Sequence, residues 1–208
     1  MNQFSTYDIL AYVIPGGMLI VVVDYFRGEP PLDYSASQLV VLTVAAYLTG
    51  YLIAAVASKL EGFALSGNPL LKDRHVYRLF DSKSILGSAE CKRYKALLHQ
   101  KYGDDTYIAV AYEKAAHYGR MSEIRERLQF LSQQAAFARS MMIATFMAGT
   151  YIIINDVQEV GLKHIHVWWV LLFMGSSLLF RMRFVRFWYE YAKTVLMELD
   201  RYVEGNGQ

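Results

Sequence analysis

The sequence has little of what builds most secreted or catalytic scaffolds. It holds a single cysteine, Cys91, so no internal disulfide can form, and a disulfide-stapled module is excluded. Charged residues make up only 19%, against about 25% in an ordinary soluble domain. Lys and Arg number 21 against 19 Asp and Glu, a net +2. That balance excludes a strongly basic nucleic-acid binder, and no specific nucleic-acid partner is expected. Also missing are G-x-S-x-G, P-loop, G-x-G-x-x-G and H-E-x-x-H patterns and any cysteine pair, so no catalytic residue, cofactor or metal site is expected.

What is present is an apolar excess, 54% of the chain, and it is unevenly distributed. Residues 9–25 are uncharged apart from Asp24. Residues 35–58, 140–155 and 164–180 contain no Asp, Glu, Lys or Arg at all. A membrane-crossing helix needs about 20 mainly apolar residues, so these are four candidate spans. Positive charge tests the idea separately, because Lys and Arg gather on the cytoplasmic side of spans. Segment 27–37 carries only Arg27 and segment 156–163 only Lys163, whereas 59–139 carries 14 basic residues and the tail from Arg181 carries 5. The expectation is an all-α integral membrane protein with four spans and both termini cytoplasmic. Its parts are spans one and two in 1–58, a cytoplasmic helical segment in 59–139, spans three and four in 140–180, and a cytoplasmic C-terminal helix in 181–208. A basic n-region and a small-x-small cleavage site are both missing ahead of Asp24, so span one is expected to be a retained anchor.

Local signals set helix boundaries. Ser5-Thr6-Tyr7-Asp8 resembles a capping box ahead of span one. Gly67-Asn68-Pro69 marks a turn. Ser88 caps a helix ending before Gly103, with Tyr94, Leu98 and Tyr102 on one face. Asp104 or Asp105 caps a second, ending before Gly119, with Ile108, Tyr112 and Ala115 on one face. From Ser122 a third helix has Ile124, Leu128, Leu131, Ala135 and Ala138 at three-four spacing and meets no breaker before span three, so that it can run on to Ile154. Span four likewise continues through Arg181 to Val203 without Gly or Pro. Two long helices therefore form a stalk, capped by a helical hairpin over 85–118.

Several residues stand out within this frame. Pro15, Gly16 and Gly17 interrupt span one. They form either a tolerated kink packed on neighbouring helices or a hinge lining a pore. Ala46, Gly50 and Ala54 in span two, continued by Ser58, and Ala144 and Ala148 in span three form small-residue rows that let helix backbones approach. The contact falls either within one copy or between copies, and the latter would make the chain a homo-oligomer. Arg181, Arg183 and Arg186, interleaved with Phe184 and Trp188, suit anchoring to membrane lipids, with phosphate binding as an alternative. Trp168 and Trp169 suit the opposite interfacial belt. His164 and His166, near Asp156 and Glu159, lack a further metal ligand at a specific spacing and are expected to be interfacial.

Two resemblances follow from short stretches. Arg93 and His99, in RYKALLH, resemble the Arg-x(4–6)-His step of HEPN-type ribonucleases over seven residues. That likeness implies Arg93 holding a phosphate and His99 in acid–base transfer, across a dimer; Tyr94 departs from the polar residue usual after the arginine. Residues 7–17, YDILAYVIPGG, look like the opening of small four-span bacterial membrane proteins with a Tyr-x-x-Pro-Gly first span. Many of these lie beside anti-phage systems. The resemblance implies an inner-membrane effector or signalling subunit driven by a cytoplasmic protein partner or small ligand. Alternatively the spans only anchor a cytoplasmic partner enzyme.

Overall fold

The structure is a computed structural model of the chain, and it describes residues 6–27, 35–60, 88–103, 108–119, 124–159 and 166–205. Every element among them is a helix: α1 (Thr6–Phe26), α2 (Ala36–Lys59), α3 (Ser88–Tyr102), α4 (Ile108–Gly119), α5 (Arg125–Glu159) and α6 (Val167–Gly205). Ser5, the Gly67-Asn68-Pro69 turn, Asp104, Asp105, Ser122, Lys163 and His164 lie outside the described residues. The absence of Gly and Pro over 125–140 and 176–204 lets α5 and α6 run uninterrupted for 35 and 39 residues, about 52 and 58 Å at 1.5 Å per residue.

Among the described residues two helices are long and apolar enough to cross a membrane, α2 and residues 125–158 of α5. The apolar stretch of α1, Leu10–Phe26, is shorter. The uncharged part of α6 ends at Phe180, because Arg181 and Arg183 follow directly. Length and composition therefore single out two of the four expected spans.

The chain divides into two compact units. Unit one comprises Met1–Lys59 and Ala135–Phe184. Its helices are apolar inside and outside. Val22, Ala148 and Ile152 are buried together, with Leu19, Phe26 and Phe173 packed against them. The outward side chains are equally apolar: Val41, Leu52, Trp168 and Leu179 are all at least 65% exposed. Only 17% of the apolar stretch of α2 is buried within the chain, against 56% for α5.

Unit two comprises Leu60–Gln134 and Val185–Gln208. It has a conventional core in which one face of each helix is buried. Tyr94 and Leu98 of α3, Tyr112 and Ala115 of α4, Leu128 of α5, and Leu196 and Leu199 of α6 come together. The three-four spacing explains the selection, since those positions fall on a single stripe of each helix. Gly103 follows α3 with φ 91°, and its amide donates to the His99 carbonyl at 2.8 Å. A left-handed glycine closing a helix in this way costs no Cβ clash. Around that core Lys193 approaches Glu90 at 3.8 Å, and the Lys101 ammonium sits 3.0 Å from the Tyr202 ring centroid.

Candidate functional sites

A close helix contact lies between α1 and α2, where the chain carries its Pro-Gly-Gly step. Proline removes one main-chain donor and crowds the preceding turn, yet α1 continues through Pro15 without a break. Pro15 and Gly16 are buried. A Cβ on Gly16 would lie 1.9 Å from the Ala46 carbonyl oxygen and 2.6 Å from the Gly50 nitrogen. A Cβ on Gly50 would lie 1.8 Å from the Tyr12 carbonyl oxygen. Gly16 facing Ala46 and Tyr12 facing Gly50 set an antiparallel register. The small-residue row of α2 is thus used within one chain: Ala46 and Gly50 are buried, Ala54 is half-buried and Ser58 is exposed. Ala144 and Ala148 of α5 are also fully buried. Beside the seam three tyrosine rings meet, Tyr12 with Tyr47 at 5.6 Å and Tyr12 with Tyr51 at 6.0 Å between centroids.

A second cluster joins the ends of α1, α5 and α6. Asp156 near the end of α5 is almost fully buried, and its Oδ2 accepts the backbone N–H of His166 at 2.7 Å. The His166 ring Nδ1 lies 2.8 Å from Asp156 Oδ1. His166 directly precedes α6, and its carbonyl accepts the amides of Trp169 and Val170. Asp156 therefore completes the start of α6 from another helix. The neighbouring Asn155 amide donates to the Phe26 carbonyl at 3.4 Å, one of the terminal carbonyls that α1 leaves without an internal partner. The Phe26 ring packs edge-on to His166, and Tyr25 meets Trp169. A buried carboxylate engaged in two hydrogen bonds is expensive to leave unmatched, so this cluster clasps three helix ends. Among the described residues no group of three or more His, Cys, Asp or Glu is arranged to hold a metal ion.

Comparison with known proteins finds no matching family model, curated sequence or solved structure. Function rests on the chain's own chemistry.

In unit two, Arg93 pairs with Asp200 of α6 at 2.5 Å. Arg93 and His99 both stand on α3, six residues apart, which separates them by about 9 Å along the axis and about 240° around it. Tyr94, between Glu90 and Leu98 on the same helix, is buried; burial pushes its hydroxyl pKa above the usual value, the carboxylates of Glu90 and Asp200 add to the rise, and Arg93 opposes it. Arg181, Arg183 and Arg186 are all exposed, while Trp188 is half-buried against the unit-two core. Arg186 also pairs with Glu190 one turn on, at 3.0 Å.

Two arrangements escaped sequence reasoning. Asp156 and His166 had been grouped by proximity, but nothing local shows that one carboxylate accepts both groups of one histidine. The start of α2 had a readable signal, Ser35-Ala36-Ser37-Gln38. Ser35 N–H donates to Gln38 Oε1 at 2.8 Å and Gln38 N–H to Ser35 Oγ at 3.4 Å, a reciprocal capping box.

Proposed function

We propose that the chain is a non-enzymatic, self-associating protein of the bacterial inner membrane. Its charged helical unit receives a signal from a cytoplasmic partner or small ligand, and its spans respond by altering the membrane, as an effector or signalling subunit in defence. The observation that carries this reading is the apolar exterior of unit one. A soluble monomer rarely exposes a contiguous apolar patch beyond roughly 300–600 Å², whereas here every helix of the unit turns large apolar side chains outward. Hydrocarbon is the solvent that removes this penalty. The serine and threonine hydroxyls fit the same solvent. Thr43, Thr145 and Thr150 donate to carbonyls of their own helices, and Ser177 donates to the Met142 carbonyl of α5, as buried polar groups in lipid require. The four-span topology, with 27–37 and 156–163 outside, follows from the distribution of basic residues.

The test has two stages. Alkaline extraction of membranes should leave the chain in the pellet, and reporter fusions should place both termini in the cytoplasm and residue 30 outside. Release by alkali, or a reporter active on the wrong side, refutes the membrane assignment. A membrane-potential dye should then respond when the protein is activated with its operon partners. Unchanged potential refutes the permeabilising role. The independent core of unit two favours one alternative, a tether that recruits a cytoplasmic enzyme. In that case an unrelated membrane anchor in place of the four spans preserves function.

A further inference from the structure

We infer that the α1–α2 edge carrying Tyr12, Tyr47 and Tyr51 is the surface on which a second copy of this chain docks; the inference rests on the membrane placement proposed above. Position along the helix is the first argument. α2 runs from Ala36 to Lys59, so Tyr47 stands at its midpoint and Tyr51 one turn on. In a spanning α2 both lie within about 6 Å of the bilayer centre at 1.5 Å per residue. Tyr12 faces Gly50 and shares that depth.

Chemistry is the second. Tyrosines concentrate at the headgroup boundary, where the ring is dry and the hydroxyl wet. A phenol hydroxyl at mid-depth has no water and needs a protein partner. Serine and threonine meet that need by folding back on their own helix, as Thr43 does at 2.8 Å. A tyrosine hydroxyl stands too far from its own backbone to do so. Among the described residues, these three tyrosines touch one another only through their rings, and Tyr51 is 56% exposed. The edge is therefore an apolar surface with hydroxyls that lipid tails cannot satisfy.

The occupant follows from self-complementarity. A hydroxyl both donates and accepts, so the same tyrosines related by a two-fold axis along the membrane normal satisfy one another at equal depth. The small row of α2 is already used against α1, and the tyrosine edge lies beside that seam. Leu52, 65% exposed and turned about 100° from Tyr51, faces lipid in this arrangement.

The experiment uses the full chain in its native membrane, first shown to resist alkaline extraction. Tyr51→Cys and Leu52→Cys are made in a Cys91→Ala background and oxidised with copper phenanthroline. The expected result is a covalent dimer with Tyr51→Cys and little or none with Leu52→Cys, since a disulfide needs Cα atoms within about 7 Å. Tyr51→Phe, which keeps the ring, should lower the dimer fraction of purified protein in nanodiscs about threefold. A dimer linked equally well at Leu52, a Tyr51→Phe variant that dimerises as wild type, or a wild-type chain that is monomeric in nanodiscs overturns the docking surface. Each of these leaves the membrane assignment intact. A chain released by alkali overturns both.

Discussion

Replacing Gly50 by alanine adds one methyl group to the tightest point of the α1–α2 seam. The new Cβ would lie 1.8 Å from the Tyr12 carbonyl oxygen, 2.6 Å from its carbon and 3.0 Å from its Cα. All three are main-chain atoms, so no rotamer change relieves the contact. Real Cβ atoms keep 3.0 Å or more, and the helices must therefore part by roughly 1.2 Å. A gap of 0.5–1 Å already forfeits about a quarter to a half of the dispersion energy at each contact, and forced overpacking costs about 1–3 kcal/mol. At about 2–4 °C per kcal/mol for a chain of this size, Gly50→Ala should lower the melting temperature in detergent by several degrees. Gly175→Ala is the matched control. A Cβ there meets nothing within 4 Å, and alanine is favoured over glycine in a helix by about 0.8–1 kcal/mol, so its melting temperature should hold or rise. Equal melting temperatures for the two variants would refute the close seam.

Three further predictions follow from other contacts. Asp156→Ala strips the partner from the His166 amide and should cost about 1–3 kcal/mol in denaturant unfolding; Asp156→Asn, which keeps an acceptor, should cost less. Tyr94 has a raised hydroxyl pKa in the folded chain, so its share of stability is intact below the ordinary tyrosine value near 10 and is lost as pH climbs toward the raised value. Wild type should lose helicity by circular dichroism in that alkaline window, and Tyr94→Phe should lose less. Arg93→Ala removes the pair with Asp200, but the arginine side chain is 58% exposed, so urea denaturation should register under about 1 kcal/mol; a far larger loss would refute the pair's surface character.

Helical periodicity carried buried faces of both units into view. Leu128, Leu131, Ala135 and Ala138 were grouped by three-four spacing and are all buried. Tyr94 and Leu98, and Tyr112 and Ala115, likewise turn the anticipated faces inward. These are local properties, set within a few turns of one helix. Pairings between distant segments were not legible. The row Ala46–Gly50 announced a close neighbour without naming it, because any helix with a small residue at matching spacing would serve. The Pro-Gly-Gly step left open a packed kink or a hinge, and sequence alone does not say that Gly16 is where the α2 backbone approaches. Arg93 pairs with Asp200, 107 positions away, a partner that no local spacing could name. Span count depended on how far a charge-free run extends. Phe180 followed by Arg181 leaves α6 short of the length that composition alone requires, although its helix continues.

The register between α1 and α2 bears on how the chain is made. Both sides of that seam exist once residue 59 has been synthesised, and few residues separate them. Its closure is therefore local and fast by topology. The Val22–Ala148–Ile152 cluster must await a segment made about ninety residues after the hairpin is complete. During that interval the α5-facing side of α1 is without the segment that covers it in the folded chain.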